Sequence, residues 1–438
     1  MYKIKNKFMG FASFSLLLVG ILFTIAHFIL FSKSRLILTS IVLIIFLMTF
    51  KRIKFGIYLV AFLTPLALRL PEKFGTANFS IAELILLVVL FNWILSILIN
   101  RKFKFKKTKL DLPILFFFII TFISFLIALK YISFPLIFGS SADNLYPLKV
   151  LLDTFEYLLF FYVVVNCLGR SDVKKVIHIS LISLLIVSLI GVYQYHTTPL
   201  FGSFYGLLGI PRITSTFNVP NFLGMFIILF IPSAFIVLRG QIYRILVSIS
   251  SIAALLYSGS RGALYSLFAV FLFSFRKDKR KMLLICTLIV FLISLSLFFY
   301  RSDSILKRVV IFEDNSRIDI FKASLVTIAN NPLGIGLGTF RLKRVYHDIH
   351  HTHNLYLQIA LERGVLGFII FIWLLFRFFS ENIMSKIDDP VYRNIRMALM
   401  IGLTSVLLNG LVDYPFYSQR IAILFWMVMG LVVVIGGK

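Results

Sequence analysis

Apolar runs of about 15 to 24 residues recur from Phe8 to the C-terminus, the length a helix needs to cross a bilayer. Expected spans lie near Phe8–Phe31, Leu36–Phe50, Phe55–Leu70, Ile81–Ile99, Leu112–Leu129, Val150–Leu168 and Val176–Tyr195. Further ones lie near Phe222–Leu238, Ile242–Ser258, Ala263–Phe275, Met282–Tyr300, Leu355–Phe379, Ile395–Val412 and Ile421–Gly436. The second and third are short enough to be re-entrant, so the count is about twelve to fourteen transmembrane helices. Hydrophobic residues make up 60% of the 438, against about half in a soluble domain. The sequence predicts an all-α, polytopic membrane helical bundle forming a single integral membrane domain over residues 1–438. Its longest non-membrane segment is a large loop over 301–353.

The formal charge of +27 raises the possibility of a nucleic-acid partner. The distribution excludes it. Lys and Arg gather in short clusters between apolar runs ("KIKNK", "KRIK", "RKFKFKKTK", "GRSDVKK", "RGQIYR", "RKDKRK", "SKIDDPVYRNIR") rather than forming a stripe interleaved with aromatics. Such clusters orient spans and contact lipid headgroups, so membrane lipids are the expected partners. Placing all seven in the cytoplasm is consistent with every span and puts both termini there. The 301–353 loop and the segments around Arg212 and Arg261 then share the outer face. The basic N-terminus leads into an apolar run too long for a signal-peptide core and without a cleavage site, which reads as a retained first helix. Cys167 and Cys286 are the only cysteines and form no CxxC pair, so neither a disulfide framework nor a thiolate zinc site is expected.

The outer loop has its own organisation. In "SRIDIFKASLVTIANNP" Ser316 and Asp319 stand at capping-box spacing, and Ile318, Phe321, Leu325 and Ile328 recur at helical intervals. This predicts an amphipathic helix lying on the membrane or on the bundle, stopped by Asn330, Asn331 and Pro332. "GIGLGTF" follows. Its spacing is not GxGxxG and no strand precedes it, so a tight turn is favoured over a phosphate cradle.

Four of the seven histidines then fall within seven residues, at His347, His350, His351 and His353. They suit a metal site, a general base or a solvated loop. With Asp348 the only carboxylate among them, the metal reading is the weaker, and a base that titrates near neutral pH fits better. Asn354, Gln358 and Glu362 are spaced i, i+4, i+8 and form one polar stripe, facing either a wet cavity or a partner helix. Arginine at membrane depth is costly, and Arg212, Arg261 and Arg317 all sit at predicted outer junctions. Their guanidinium forks suit phosphate oxygens, although each alone could simply snorkel to headgroups. Asp153, Glu156 and Glu83 open spans, and no DxD motif for a metal-bound nucleotide sugar is present.

"NNPLGIGLGTF…HTHNLYLQIALERGVLG" resembles the signature region of the O-antigen ligase and polymerase family, which assembles bacterial surface glycans. "TSTFNVPNFLGMF" and "SGSRGALYS" resemble its upstream motifs, so the likeness covers roughly residues 212–371. The resemblance implies a membrane-embedded, metal-independent, inverting glycosyltransferase of the bacterial cytoplasmic membrane, without cofactor and with its active site facing outward. The implied donor is a glycan on undecaprenyl diphosphate, and the acceptor a second glycan or a lipid A core. By the same likeness His353 is the base that deprotonates or orients the acceptor hydroxyl. Arg261 and Arg317 hold the diphosphate, with Arg212 a weaker candidate. Extra histidines precede His353 here, so His350 or His351 could share its role. Ligase and polymerase both remain open. A lipid-linked oligosaccharide flippase is the alternative, but transport favours charges deep in several spans, whereas here the unusual groups crowd the outer side.

Overall fold

The computed structural model describes residues 47–50, 52–66, 80–99, 104–131, 145–197, 204–205, 211–238, 240–275, 315–340, 345–346 and 349–437. The expected spans Phe8–Phe31 and Met282–Tyr300 and most of Leu36–Phe50 lie outside these residues, as does His347. Every expected span on described residues is helical. The helices are α1 (Ile53–Leu63), α2 (Ile81–Ile99), α3 (Asp111–Ala128), α4 (Tyr146–Cys167), α5 (Arg170–Thr197) and α6 (Pro220–Val237). They continue with α7 (Gln241–Ser258), α8 (Arg261–Phe275), α9 (Asn315–Asn330), α10 (Leu355–Met384), α11 (Pro390–Asn409) and α12 (Gln419–Gly436). Among the described residues eight helices are long and apolar enough to cross a membrane, by length and composition. The chain is thus an all-α polytopic membrane bundle. A two-residue antiparallel pairing of Phe204–Tyr205 with Pro211–Arg212 sets Phe204 opposite Arg212. The 11 residues of α1 rise only about 16 Å, half a bilayer, which fits the short third span.

Local sequence explains the helix ends. Glu83 opens α2 in a capping box: its carboxylate accepts the Ser80 N–H at 2.7 Å and its own N–H reaches Ser80 Oγ at 3.2 Å. Pro147, Pro220 and Pro390 stand in the first turns of α4, α6 and α11, where no N–H is needed.

The core is built around α6 and α12, whose apolar windows are 78% and 72% buried. α6 packs on α11, α12 on α4, α5 on α7 and α3 on α10. Gly402 of α11 lies directly on the Leu229 backbone of α6, a close approach that only a small residue allows. Buried polar pairs, Asn92–Thr49 at 2.7 Å and Ser188–Ser251 at 3.1 Å, join helices across the interior.

The two ends of the bundle differ in chemistry. One end carries Lys54 paired with Asp172 at 2.6 Å, Lys109 paired with Glu381 at 2.6 Å, and Lys106 on the carbonyls that end α4. The other end gathers the histidine loop, the turn between α11 and α12, and the starts of α8, α9 and α10.

Candidate active site

The histidine loop is fastened where it enters α10. Asn354 is the N-cap, and its Oδ1 accepts the N–H groups of Tyr356 and Leu357, both at 2.9 Å. Its Nδ2 donates to Leu411 O at 2.8 Å, and the Leu355 N–H donates to Gly410 O at 2.7 Å. Two backbone carbonyls of the α11–α12 turn thereby hold the loop. From the other side, Gln358 Oε1 accepts the Thr352 N–H at 2.8 Å, while Gln358 Nε2 donates to Glu362 Oε1 at 2.8 Å. The expected polar stripe is therefore present, but it is buried and braces the loop instead of lining a wet cavity.

His353 sits between these anchors with φ of +51°, a left-handed conformation that costs a non-glycine residue about 1 kcal/mol or more. Its Nδ1 lies 3.5 Å from Asp413 Oδ1, an ion-pair contact longer than a formed hydrogen bond. Its side chain is 30% exposed against 7% for Asp413, so the ring borders solvent while the carboxylate lies behind it. Asp413 Oδ2 accepts from Asn221 Nδ2 at 2.6 Å, and Oδ1 accepts the Tyr414 N–H at 2.8 Å. Asn221 Oδ1 accepts from Arg212 Nη2 at 2.6 Å, and Arg212 Nε donates to Ser258 O at 2.7 Å. A single line of contacts runs Arg212–Asn221–Asp413–His353.

Of the three arginines, Arg317 touches this turn directly, Arg212 reaches it through Asn221, and Arg261 precedes a glycine packed against it. Arg212 is buried and directed inward, into the line just described. Arg317, in the first turn of α9, donates from Nη1 to Val412 O at 2.8 Å, one residue from Asp413. Arg261 starts α8, and the next residue, Gly262, packs so closely on Asn409 and Val412 that no Cβ would fit. His350 stacks on Tyr417 at 6.5 Å between centroids, and His351 packs against Tyr414, Tyr417 and His353.

Sequence reasoning missed Asp413 and Asn221. A signal existed for the first: with "SKIDDPVYRNIR" inside, the next turn, "LNGLVDYPFYS", falls on the outer face, and Asp413 is its one acid. Asn221 stands in the quoted "FNVPN", but no spacing rule connects it to a carboxylate 192 residues away.

The glycine segment has a role the sequence did not suggest. Gly334, Gly336 and Gly338 all have positive φ. The segment lies across a break in α10 at Gly364, where φ is 75° and ψ 174°. The Ile335 N–H donates to Leu361 O at 2.9 Å and the Gly336 N–H to Glu362 O at 3.2 Å. Ser124 Oγ adds a bond to Glu362 O at 2.7 Å, and the Val365 N–H returns to Pro332 O at 2.9 Å. The segment thus supplies the N–H groups of Ile335 and Gly336 to carbonyls at the break in the helical ladder. Those N–H groups are consumed within the protein, so they form no phosphate cradle.

α9 corrects the predicted apolar face. Ile320 and Ser324 are buried, with Ile320 packing among Ile335, Phe340 and Leu361, whereas Ile318 and Leu325 are exposed. The helix is clamped by the glycine segment and α10 along a face one residue away from the periodic one.

Residues 246–372 match the O-antigen ligase family model. The chain is also 31% identical over 122 residues to an O-antigen polymerase of Salmonella muenchen, an alignment covering 26% of this chain and 30% of that protein. Across this stretch the chain is similar to O-antigen ligases and polymerases, and it spans less than a third of the length of the curated relative it matches. The region shared with the family holds Arg261, Arg317, the glycine segment and His353. Arg212, Asn221 and Asp413 lie outside it, so the candidate site also draws on segments on either side of the matched region.

Protonation separates the histidines. Burial pushes the His351 pKa down to about 3, helped by the neighbouring His353 and against the pull of Asp413. His351 is therefore neutral and only weakly basic near pH 7, and its Nδ1 accepts the His353 N–H at 3.2 Å, so it braces the loop. Burial raises the Asp413 pKa, but His353, His351 and Arg317 outweigh it and hold the carboxyl at about 2. Asp413 is ionised at any working pH. The unfolded His351 titrates near pH 6.5 and the folded one near 3, so the unfolded chain binds the extra proton between these values. Stability from this group is complete above pH 6.5 and falls on acidification, by at most about 1.4 kcal/mol per pH unit. Thermal unfolding followed between pH 7 and pH 5 is expected to show this slope in the wild type and lose it in His351→Gln.

His351, His353 and Asp413 each offer a ligand atom, all within 4.8 Å of one another, which is compatible with a metal. The adjoining Arg317 charge and the engagement of His351 Nδ1 by a backbone N–H both oppose a cation there.

Proposed function

We propose that this protein moves a glycan from undecaprenyl diphosphate to an acceptor hydroxyl at the outer leaflet of a bacterial cytoplasmic membrane, during O-antigen or related surface-polysaccharide assembly. The contact of His353 with the buried, ionised Asp413, beside Arg317, carries this reading. His353 takes the acceptor proton as the acceptor oxygen bonds to the anomeric carbon. The bond from that carbon to the phosphate oxygen breaks, and its electron pair leaves with the diphosphate. Asp413 stabilises the imidazolium that forms. Arg317 and Arg261 supply positive charge where the leaving group gains negative charge, a task otherwise given to a metal. Arg212 acts one step removed, fixing Asn221 against Asp413. Attack from the face opposite the leaving group inverts the anomeric centre.

The test supplies purified protein with lipid-linked repeat units, with and without lipid A core. Longer lipid-linked chains identify a polymerase and a glycan-modified core a ligase; no product from either mixture refutes the proposal. Activity is expected to survive exhaustive chelation, and a loss restored by zinc would return the three-ligand cluster to a metal role. Asp413→Asn is expected to lower turnover about a hundredfold at unchanged protein yield, the scale of a lost partner to a general base. Wild-type turnover in that variant would show that His353 works alone.

A further inference from the structure

At the end of the bundle away from His353 lies a crevice of about 930 Å³ between the start of α3 and the ends of α4, α10 and α12. α12 begins at Gln419, beside the active-site turn, and its 18 residues rise about 27 Å to Gly436 at the crevice. That is close to the thickness of the hydrocarbon layer, so the crevice opens at the opposite membrane interface. Lys106, Lys107, Lys109 and Arg170 line it against one carboxylate, Glu381. Its floor is apolar, formed by Leu110, Val165, Leu168, Phe378, Val433 and Val434.

The cations are not equally committed. Lys106 Nζ caps the end of α4 through Val165 O at 3.2 Å and Leu168 O at 3.5 Å, and Arg170 Nη2 donates to Gly437 O at 2.9 Å. Lys109 pairs with Glu381 at 2.6 Å, but its side chain is 67% exposed and Glu381 is also held by Arg377 at 3.3 Å. Lys107 is exposed and has no ion-pair partner among the described residues. The helix-end carbonyls are thus already compensated, and positive charge remains at the rim.

We infer that this crevice binds an anionic phospholipid, its phosphate at Lys107 and Lys109 and an acyl chain along the Leu110–Phe378–Val434 floor. A basic rim over an apolar floor at an interface matches both halves of such a molecule. A soluble anion would use the rim alone, and a zwitterionic lipid would gain nothing from its net charge.

The test compares wild type with the double variant Lys107→Gln, Lys109→Gln in neutral detergent. Phosphatidylglycerol, phosphatidylcholine or soluble glycerol phosphate is added, and lipid retention is read by native mass spectrometry and stability by thermal midpoint. Phosphatidylglycerol is expected to be retained and to raise the midpoint of the wild type, with retention falling severalfold in the variant. Equal retention in both proteins, or equal retention of phosphatidylcholine, would overturn the site. A midpoint shift as large with glycerol phosphate would overturn the lipid assignment.

Discussion

Replacing His353 by alanine is expected to abolish glycan transfer while the helical bundle remains intact. A positioned general base contributes about 10²- to 10⁴-fold, or roughly 3 to 5 kcal/mol of barrier. The neighbouring base candidate is a poor substitute, because burial lowers the His351 pKa to about 3, making it a weak proton acceptor, and its Nδ1 already accepts the His353 N–H. The His353 side chain is part-exposed, and its ring packs on His351. Its backbone does need φ of +51°, which alanine tolerates poorly, so His353→Asn is the better-matched control. Both variants should run as intact protein in size-exclusion chromatography and give no product in the lipid-linked assay. Retained activity in the asparagine variant would remove His353 as the base.

The largest structural effect is expected at Gly364. Its φ of 75° with ψ of 174° belongs to a region that only glycine occupies, and an added Cβ would stand 2.6 Å from Pro332 O and Leu333 C. Both contacts are backbone, held by the Val365-to-Pro332 bond, so neither can swing aside. Gly364→Ala should therefore cost about 3 kcal/mol or more, enough to deplete the folded population of a marginally stable protein. Gly240→Ala, with nothing within 4 Å of its added Cβ, provides the comparison and should change the thermal midpoint little. Similar midpoints for the two variants would mean that the glycine segment does not hold α10 as described.

The helices were legible because each carries its own signal of apolar length and basic ends. The polar stripe that follows His353 was legible because it lies within one stretch of chain. The break at Gly364 was not, since "ERGVLG" reads as continuous helix: an interior glycine costs only about 1 kcal/mol and marks no boundary by itself. For the same reason the glycines at 334, 336 and 338 read as a turn, with nothing to say which carbonyls they would meet. Asp413 escaped because its one signal, a lone acid on an outer turn, does not say which residues it meets. Its meaning comes from His353 and Asn221, which the fold brings to it from 60 and 192 residues away. The face of α9 was misread because periodicity locates apolar residues but not the neighbour that selects among them.

The register between His353 and Asp413 is written in main chain. Gly410 O and Leu411 O hold the histidine loop, and neither bond depends on which side chains the turn displays. Leu411 and Val412 display theirs outward, 48% and 39% exposed, immediately beside the carboxylate. The rim of the site can therefore be rewritten by substitution without moving the pair to which the chemistry is proposed to belong. In such an arrangement, recognition and reactivity are free to diverge separately.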